Sequence, residues 1–377
     1  MARARRPICG TDVRVVLVSP YALSVHGGVQ EQVVSMSRTL ANRGHDVLVI
    51  TADESDSSFY DTPATVVQLG ALFSLPANGS RAPITLSRQA RRAALRAVAD
   101  FDPDIVHVHE PFAPMLGYRI LASHRWPTVA TFHRSGGFSW LRYCRRLFRW
   151  GRAGIDRAVS VSNAAAATAE HDFGISTEVE FNGIDVMRLR RAARHKPAQT
   201  TIVTVGRLEE RKGVATLIEA VLLHNEQRPD DSWLLDIVGA GPERQRLEAL
   251  AQGSDRIRFR GALDHERKNE LLRSASVVVC PALRGESFGI VLLEAMACEV
   301  PVVASAIDGY RQAAGGHCFL TPPGEASALE STIAGALHAS SSWVADAAAY
   351  ASQWSMDALV DLYETHYQEA IDRFVSR

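Results

Sequence analysis

Two carboxylates, Glu286 and Glu294, lie eight residues apart in Gly285-Glu286-Ser287-Phe288-Gly289-Ile290-Val291-Leu292-Leu293-Glu294-Ala295-Met296-Ala297, a stretch that passes from a loop into an apolar helix. Gly289 brings no side chain to the junction. Beyond it, at Ile290 and Val291, the helix start presents unpaired backbone N–H groups and the positive end of its dipole, a natural seat for a phosphate. An acid ahead of that seat, Glu286, can hold sugar hydroxyls, and Phe288 two residues on is counted with the donor-binding residues. One inside the helix, Glu294, can hold a second diol such as a ribose. Two acids bracketing an anion seat suit a nucleotide-sugar better than a free phosphate. A buried strand–turn–helix with one capping acid would draw on the same residue types.

Upstream, Val203-Thr204-Val205-Gly206 reads as a short apolar strand that ends at Arg207, and Lys212-Gly213 precedes a helix carrying Leu217 and Ile218. The carboxyl end of a strand is where α/β sheets bind ligands. Arginine offers a planar fork and lysine a point charge, so Arg207 and Lys212 together can clamp a diphosphate. They would also offset the charge that builds on it as it departs. Two solvated surface cations are the plainer alternative.

With Val238-Gly239-Ala240-Gly241-Pro242 added, the set resembles the retaining glycosyltransferases of the GT-B fold, family four. The amino-terminal half agrees, through Pro20-Tyr21, His26-Gly27-Gly28-Val29-Gln30, His107-Val108-His109-Glu110-Pro111, Thr131-Phe132-His133 and Asn182-Gly183-Ile184-Asp185. Within that family the chain is similar to the actinobacterial phosphatidylinositol mannosyltransferases, from about Val13 to the carboxyl terminus. The resemblance implies two Rossmann-like parallel-sheet α/β domains facing a central cleft. It also implies a GDP-mannose donor, a phosphatidyl-myo-inositol acceptor and no metal.

Composition is compatible. A chain of 377 residues with 46% hydrophobic content predicts two compact domains, each with its own core. A net charge of −1 argues against a general nucleic-acid binder. Five scattered cysteines without CxxC spacing fit a reduced cytoplasmic protein lacking a cysteine metal site. Residues 1–12 read as a basic extension without the apolar core of a signal peptide. No apolar run has the length to cross a bilayer. The expected location is cytoplasmic, on the inner face of the membrane.

Apolar strands alternate with helical patterns throughout, which predicts parallel sheets covered on both faces. Strands are expected at Val13–Ser19, Asp46–Thr51, Ile105–His109, Thr128–Phe132 and Ala158–Ser162 in an amino-terminal domain spanning 13–186. They are expected at Thr201–Gly206, Leu234–Gly239, Ile257–Arg260, Val277–Pro281 and Pro301–Ser305 in a donor domain spanning 201–356. Polar, basic residues 187–200 read as the linker. The family implies that the last helix, within 357–377, crosses back onto the amino-terminal domain.

Gly27-Gly28, between the first strand and a helix, would let backbone amides approach a diphosphate or sugar; a tight turn would use them too. The resemblance places Tyr21 and Gln30 near the acceptor and His133 against the transferred sugar. Guanine offers two adjacent N–H donors that suit a carboxylate, and Asp264, with Lys268 four residues on, matches the family's guanine-holding positions. An N-cap for the following helix is the rival role for Asp264. The resemblance further assigns Asn78, Ser80, Arg81 and Arg134 to the acceptor. Ala77 replaces an expected aromatic, and the lysine expected after His133 is missing, with Arg134 as its possible substitute.

His107 and His109 share a strand face and, with Glu110, would make a conceivable metal site, but no third ligand follows at telling spacing. Asp102-Pro103-Asp104 reads as a turn. Between Arg134 and Ile155 there is no acid, and arginines fall at Arg142, Arg145, Arg146, Arg149 and Arg152. On a helical wheel they share one side, with Trp140, Tyr143, Phe148 and Trp150 among the residues opposite, a pattern suited to anionic lipid. An ordinary surface helix would show the same split.

The implied chemistry is retaining transfer without a metal. Arg207, Lys212 and the helix start would stabilise the departing diphosphate, Glu286 the sugar and Glu294 the ribose. Alternatives are a UDP-sugar donor, a soluble acceptor, a non-catalytic sugar-nucleotide binder, or an NAD-dependent oxidoreductase using Gly239-Ala240-Gly241. The last lacks the third glycine, its place being taken by Arg244.

Overall fold

The computed structural model describes residues 13–377 with the exception of 25–26, 54–60, 71–72, 78–79, 85–87, 114–115, 135, 137–145, 147, 196 and 287. The chain divides into two compact units, Met1–Gly183 with Met356–Arg377, and Ile184–Ser355.

In the first unit the strands are β1 (Arg14–Ser19), β2 (Asp46–Thr51), β3 (Thr65–Gln68), β4 (Phe73–Ala77), β5 (Ser80–Ile84), β6 (Ile105–His109), β7 (Thr128–Phe132), β8 (Arg157–Ser160) and β9 (Glu178–Val179). Its helices are α1 (Gly28–Asn42), α2 (Arg88–Phe101), α3 (Leu116–Leu121), α4 (Arg149–Ala153), α5 (Asn163–Phe173) and α14 (Met356–Val375). Seven strands form a parallel sheet in the order β3-β2-β1-β6-β7-β8-β9. Alternate residues of β1 explain why both faces are covered. Val15 and Leu17 pack with Met36 and Leu40 of α1 and Tyr363 and Tyr367 of α14. Val16 and Val18 pack with Val98 of α2 and Ile120 of α3 on the other side. The last helix belongs to this unit, and β4 and β5 form a separate antiparallel hairpin.

The second unit contains β10 (Thr201–Val205), β11 (Leu234–Val238), β12 (Ile257–Gly261), β13 (Val277–Cys280), β14 (Val302–Ser305) and β15 (Phe319–Thr321). Its helices are α6 (Val186–Arg191), α7 (Val214–Gln227), α8 (Arg244–Leu250), α9 (His265–Ser274), α10 (Ile290–Ala297), α11 (Asp308–Ala314), α12 (Ala326–Ala336) and α13 (Ser341–Ser352). The parallel sheet runs β12-β11-β10-β13-β14-β15, so strand order reverses between β10 and β13. That switch point is where a doubly wound sheet opens a crevice beyond its carboxyl ends.

The ten expected strands are present, with ends shifted by up to two residues. Three edge strands, β3, β9 and β15, were not anticipated. Their burial is partial or absent, and edge strands lack the continuous apolar run that marks a central one. The residues expected as a linker, 187–200, begin inside α6, which belongs to the second unit. Asp185 caps that helix by accepting the backbone N–H of Arg188 at 2.9 Å.

Candidate functional site

In the second unit the loops leaving β10, β11 and β12 are tied to one another. Gly206 N–H donates to the Val238 carbonyl at 3.0 Å, Leu208 N–H to Ala240 at 3.0 Å, and Gly239 N–H to Gly261 at 2.8 Å. A Cβ on Gly239 (φ 138°) would lie 1.8 Å from the Gly206 carbonyl oxygen, and one on Gly241 2.3 Å from that of Leu208. These glycines serve the chain's own close backbone packing, which removes the reason to read them as a dinucleotide fingerprint. A methyl on Gly206, by contrast, would meet nothing within 4 Å among the described residues. Open space lies at the end of β10, next to Arg207.

The cations and acids here form one chain of ion pairs. Arg207 Nε lies 3.2 Å from Glu209 Oε1, and Arg211 Nε 2.9 Å from Glu209 Oε2. Arg211 Nη1 reaches Glu286 Oε1 at 2.9 Å, and Lys212 Nζ reaches the same oxygen at 2.5 Å. Local geometry explains the meeting. Glu210–Lys212 forms a single 3₁₀ turn closed by Gly213 at φ 67°, where a Cβ would lie 2.0 Å from the Pro281 carbonyl oxygen. The turn is thereby pressed onto the end of β13, whose following loop carries Glu286. Arg211 and Glu209 were missed from sequence; the Arg-x-Glu-x-Arg alternation from 207 to 211 was the available signal.

Gly289 is the N-cap of α10 at φ 80° and ψ 50°, and a Cβ there would lie 2.7 Å from the ring of Tyr310. The first N–H groups of α10, those of Ile290 and Val291, have no partner within the helix. Phe288, expected among the donor-binding residues, has a buried ring that meets Trp354 edge-on at 5.4 Å, where an apolar side chain gains from the core. Glu294 and Lys268 are brought together, Nζ to Oε1 at 2.7 Å, with both side chains nearly buried. Asp264 takes its rival role, accepting the Arg267 N–H at 2.8 Å as N-cap of α9, while its side chain stays 63% exposed.

In the first unit the expected residues gather beyond β1, β6 and β7. His109 Nδ1 lies 2.9 Å from His133 Nε2, and His109 stacks on His107 with centroids 4.2 Å apart. His107 is held by Tyr367 Oη at 2.9 Å and Thr131 Oγ1 at 2.8 Å. Burial keeps all three imidazoles neutral, driving His107 and His109 well below their usual value and His133 down to about 3. Glu110, in the left-handed region at φ 45°, accepts the backbone N–H groups of His133 and Arg134, each at 2.6 Å. Burial nevertheless pushes its carboxyl upward. Burial, and then the Glu110 carboxylate, raise the Tyr21 phenol far above its usual range. Arg134 is committed elsewhere, to the buried Asp172 at 2.5 Å. Gly28 opens α1, and a Cβ on Gly27 would lie 2.4 Å from Gln30 Oε1, so Gln30 folds back over the helix start.

Asn78 lies outside the described residues, as do Arg142 and Arg145; Ser80 and Arg81 are in β5, paired with Ala77 and Pro76. Arg146 and Arg149 are exposed. The expected sidedness of this segment needs correction. Trp150 is 58% exposed beside Arg149, while Arg152 turns to the Gly174 carbonyl at 2.8 Å. Among the described residues only Arg149–Ala153 is α-helical here; Gly154 presses on Leu121, where a Cβ would lie 2.0 Å from its carbonyl oxygen.

Among the described residues one trio of possible metal ligands converges, Glu178, Glu180 and His366. Arg157 already occupies that cluster: it pairs with Glu178, and its Nε donates to His366 Nδ1 at 3.3 Å. Asp102 and Asp104 form the turn before β6, Asp104 accepting the Arg14 N–H at 3.0 Å. No helix of the described residues is long and apolar enough to cross a membrane.

The chain is similar to known proteins along most of its length. The family Glycosyltransferase Family 4 matches residues 26–188, and Glycosyl transferases group 1 matches 185–353. A phosphatidyl-myo-inositol mannosyltransferase of Mycobacterium leprae is 35% identical over 329 residues, covering 85% of this chain and 86% of that protein. Its namesake in Mycolicibacterium smegmatis is 34% identical, covering 86% and 85%. A glycosyltransferase from Rickettsia africae superposes with a TM-score of 0.73 at 16% identity, over 96% of this chain and 99% of the other. Anabaena HepE, solved with UDP and glucose, gives 0.71 at 19% identity, over 94% and 100%. The chain is a glycosyltransferase and belongs to family four of the GT-B fold.

Proposed function

We propose that this glycosyltransferase moves mannose from GDP-mannose, with retention, onto a phosphatidylinositol-type lipid at the cytoplasmic face of a membrane. The observation that carries the donor side is the ion-pair chain from Arg207 to Lys212 and Glu286, set beside the start of α10. Arg207, Lys212 and the N–H groups of Ile290 and Val291 would take the diphosphate. Glu286, already oriented by two cations, would hold the sugar hydroxyls. Glu294 would hold the ribose, with Lys268 fixing its carboxylate, and the exposed Asp264 would read guanine beside its capping role.

In the transfer step the bond from the sugar's anomeric carbon to the β-phosphate oxygen breaks. A new bond forms to the acceptor oxygen on the same face, and the acceptor proton passes to the departing phosphate. The cations stabilise the charge that develops there, and none of this chain's residues needs to become a nucleophile. The first unit would supply the acceptor side through Tyr21, Gln30 and His133.

The names carried by the relatives support the mannose and inositol-lipid assignment. Exposed Arg146, Arg149 and Trp150 support peripheral docking, each cation contributing about 1 kcal/mol at an anionic surface. The test is transfer of labelled sugar from GDP-mannose or UDP-glucose to phosphatidylinositol in liposomes. Labelled lipid from GDP-mannose alone is expected; transfer from UDP-glucose, or only to a soluble sugar, would overturn the assignment.

A further inference from the structure

His133 follows β7, and its ring stacks on that of His109 with centroids 5.2 Å apart, its Nε2 lying 2.9 Å from His109 Nδ1. A single hydrogen lies between those two atoms, and its owner decides what His133 can offer a substrate. His107 beneath cannot interfere, since both of its nitrogens are engaged by Tyr367 and Thr131.

Both rings are neutral, so each carries one N–H. His109 Nε2 is buried and has no hydrogen-bond partner among the described residues. If His133 donated from Nε2, the hydrogen of His109 would have to reside on that orphaned atom, as a buried N–H without an acceptor. If His109 donates from Nδ1, the orphan is a bare lone pair. Among buried backbone groups an orphaned N–H is rarer than an under-satisfied acceptor, and the same ordering applied to the imidazole favours the bare lone pair.

We propose that His109 is a positioning residue that donates from Nδ1 and fixes His133 as its Nδ1–H tautomer. His133 then meets substrate as a hydrogen-bond donor to a sugar or phosphate oxygen. It has no free lone pair with which to act as a base, in keeping with transfer of the acceptor proton to the departing phosphate. The catalytic part of this inference rests on His133 facing substrate, as set out under the proposed function; the tautomer does not.

The tautomer is read on the substrate-free full chain labelled with ¹⁵N-histidine, by two-bond ¹H–¹⁵N correlation at pH 7.5, with His133→Gln assigning the signals. The expected pattern is a protonated Nδ1 and an unprotonated Nε2 on His133. The reverse pattern overturns the proposal whatever the activity. Function is read with His109→Asn, whose amide nitrogen can stand where Nδ1–H stood, against His109→Leu, which has no donor. Asn is expected to keep the spectrum and kcat/KM within about threefold, and Leu to lose about tenfold or more, by analogy with the partners that orient metal-ligating histidines. Between pH 6 and 8 kcat/KM should show no limb belonging to His133. Equal loss in both variants, with unchanged circular dichroism, would refute positioning through the donor. The expected spectrum with transfer unaffected in His133→Gln would instead refute the role of His133 in the proposed function and leave the tautomer standing.

Discussion

Gly289→Ala and Gly206→Ala separate folding from ligand binding within one domain. At Gly289 alanine must adopt φ 80°, which costs an L-residue about 1–2 kcal/mol. Its Cβ would lie 2.7 and 2.9 Å from two carbons of Tyr310, a ring only 5% exposed, so core atoms must move. Overpacking of that kind costs about 1–3 kcal/mol. Together the two terms give roughly 2–5 kcal/mol, or a fall in Tm on the order of 5–15 °C for a domain of this size. At Gly206 a methyl meets nothing within 4 Å among the described residues, and the backbone is not in the left-handed region. Its stability should change by less than about 0.5 kcal/mol. Yet the methyl would occupy the open space beside Arg207, and GDP affinity should fall about tenfold or more, equivalent to ~1.4 kcal/mol. Thermal unfolding followed by tryptophan fluorescence, with Trp354 resting on Phe288, reads the first effect, and calorimetric GDP titration the second. A Gly289→Ala protein as stable as the parent would refute the packing argument. Undiminished GDP binding by Gly206→Ala would refute the placement of the donor.

Asp264→Asn keeps an N-cap acceptor while Asp264→Ala loses about 1 kcal/mol of capping, so urea unfolding should detect only alanine. Both should erase discrimination between GDP and UDP in binding assays if the carboxylate reads guanine. His107, His109 and His133 stay neutral when folded, whereas their unfolded forms titrate near 6.5. Below that value the unfolded chain binds more protons. Stability should therefore fall with decreasing pH, by about 1.4 kcal/mol per pH unit for each histidine until its folded pKa is reached, measurable by urea titration from pH 8 to 5. Glu286→Gln removes the anion shared by Arg211 and Lys212, so GDP should bind at least as tightly while turnover drops on the order of a hundredfold. Transfer should persist in excess EDTA; loss restored by added magnesium would contradict the assignment of the leaving-group charge to Arg207 and Lys212.

Buried strands were legible because they read as unbroken apolar runs: Leu234–Val238 and Val277–Cys280 are buried along their whole length. Thr65–Gln68 and Glu178–Val179 were not, since an edge strand half in water has no such run. Asn78 is placed with the acceptor by likeness alone, and Gly79 follows it in sequence. An Asn-Gly pair is also a sequence signal for a hairpin, and β4 and β5 do pair antiparallel, Ala77 opposite Ser80. Glu286 and Lys212 could be singled out by type and position, but their ion pair could not, because 74 residues separate them and only the fold closes that distance. A helical wheel puts Trp150 opposite the arginines, whereas within Arg149–Ala153 its ring is exposed beside Arg149. The stack of His107, His109 and His133 was half visible, since alternation put the first two on one face but nothing local tied them to the third.

The measurement that bears most directly on the donor site is calorimetric titration of the full chain with GDP, GDP-mannose and UDP-glucose, repeated on Arg207→Ala and Asp264→Ala. Preferential binding of GDP and GDP-mannose is expected, weakened about tenfold or more in both variants. A preference for UDP-glucose, or GDP binding indifferent to both substitutions, would contradict the placement of a guanine nucleotide-sugar at the carboxyl ends of β10 and β13.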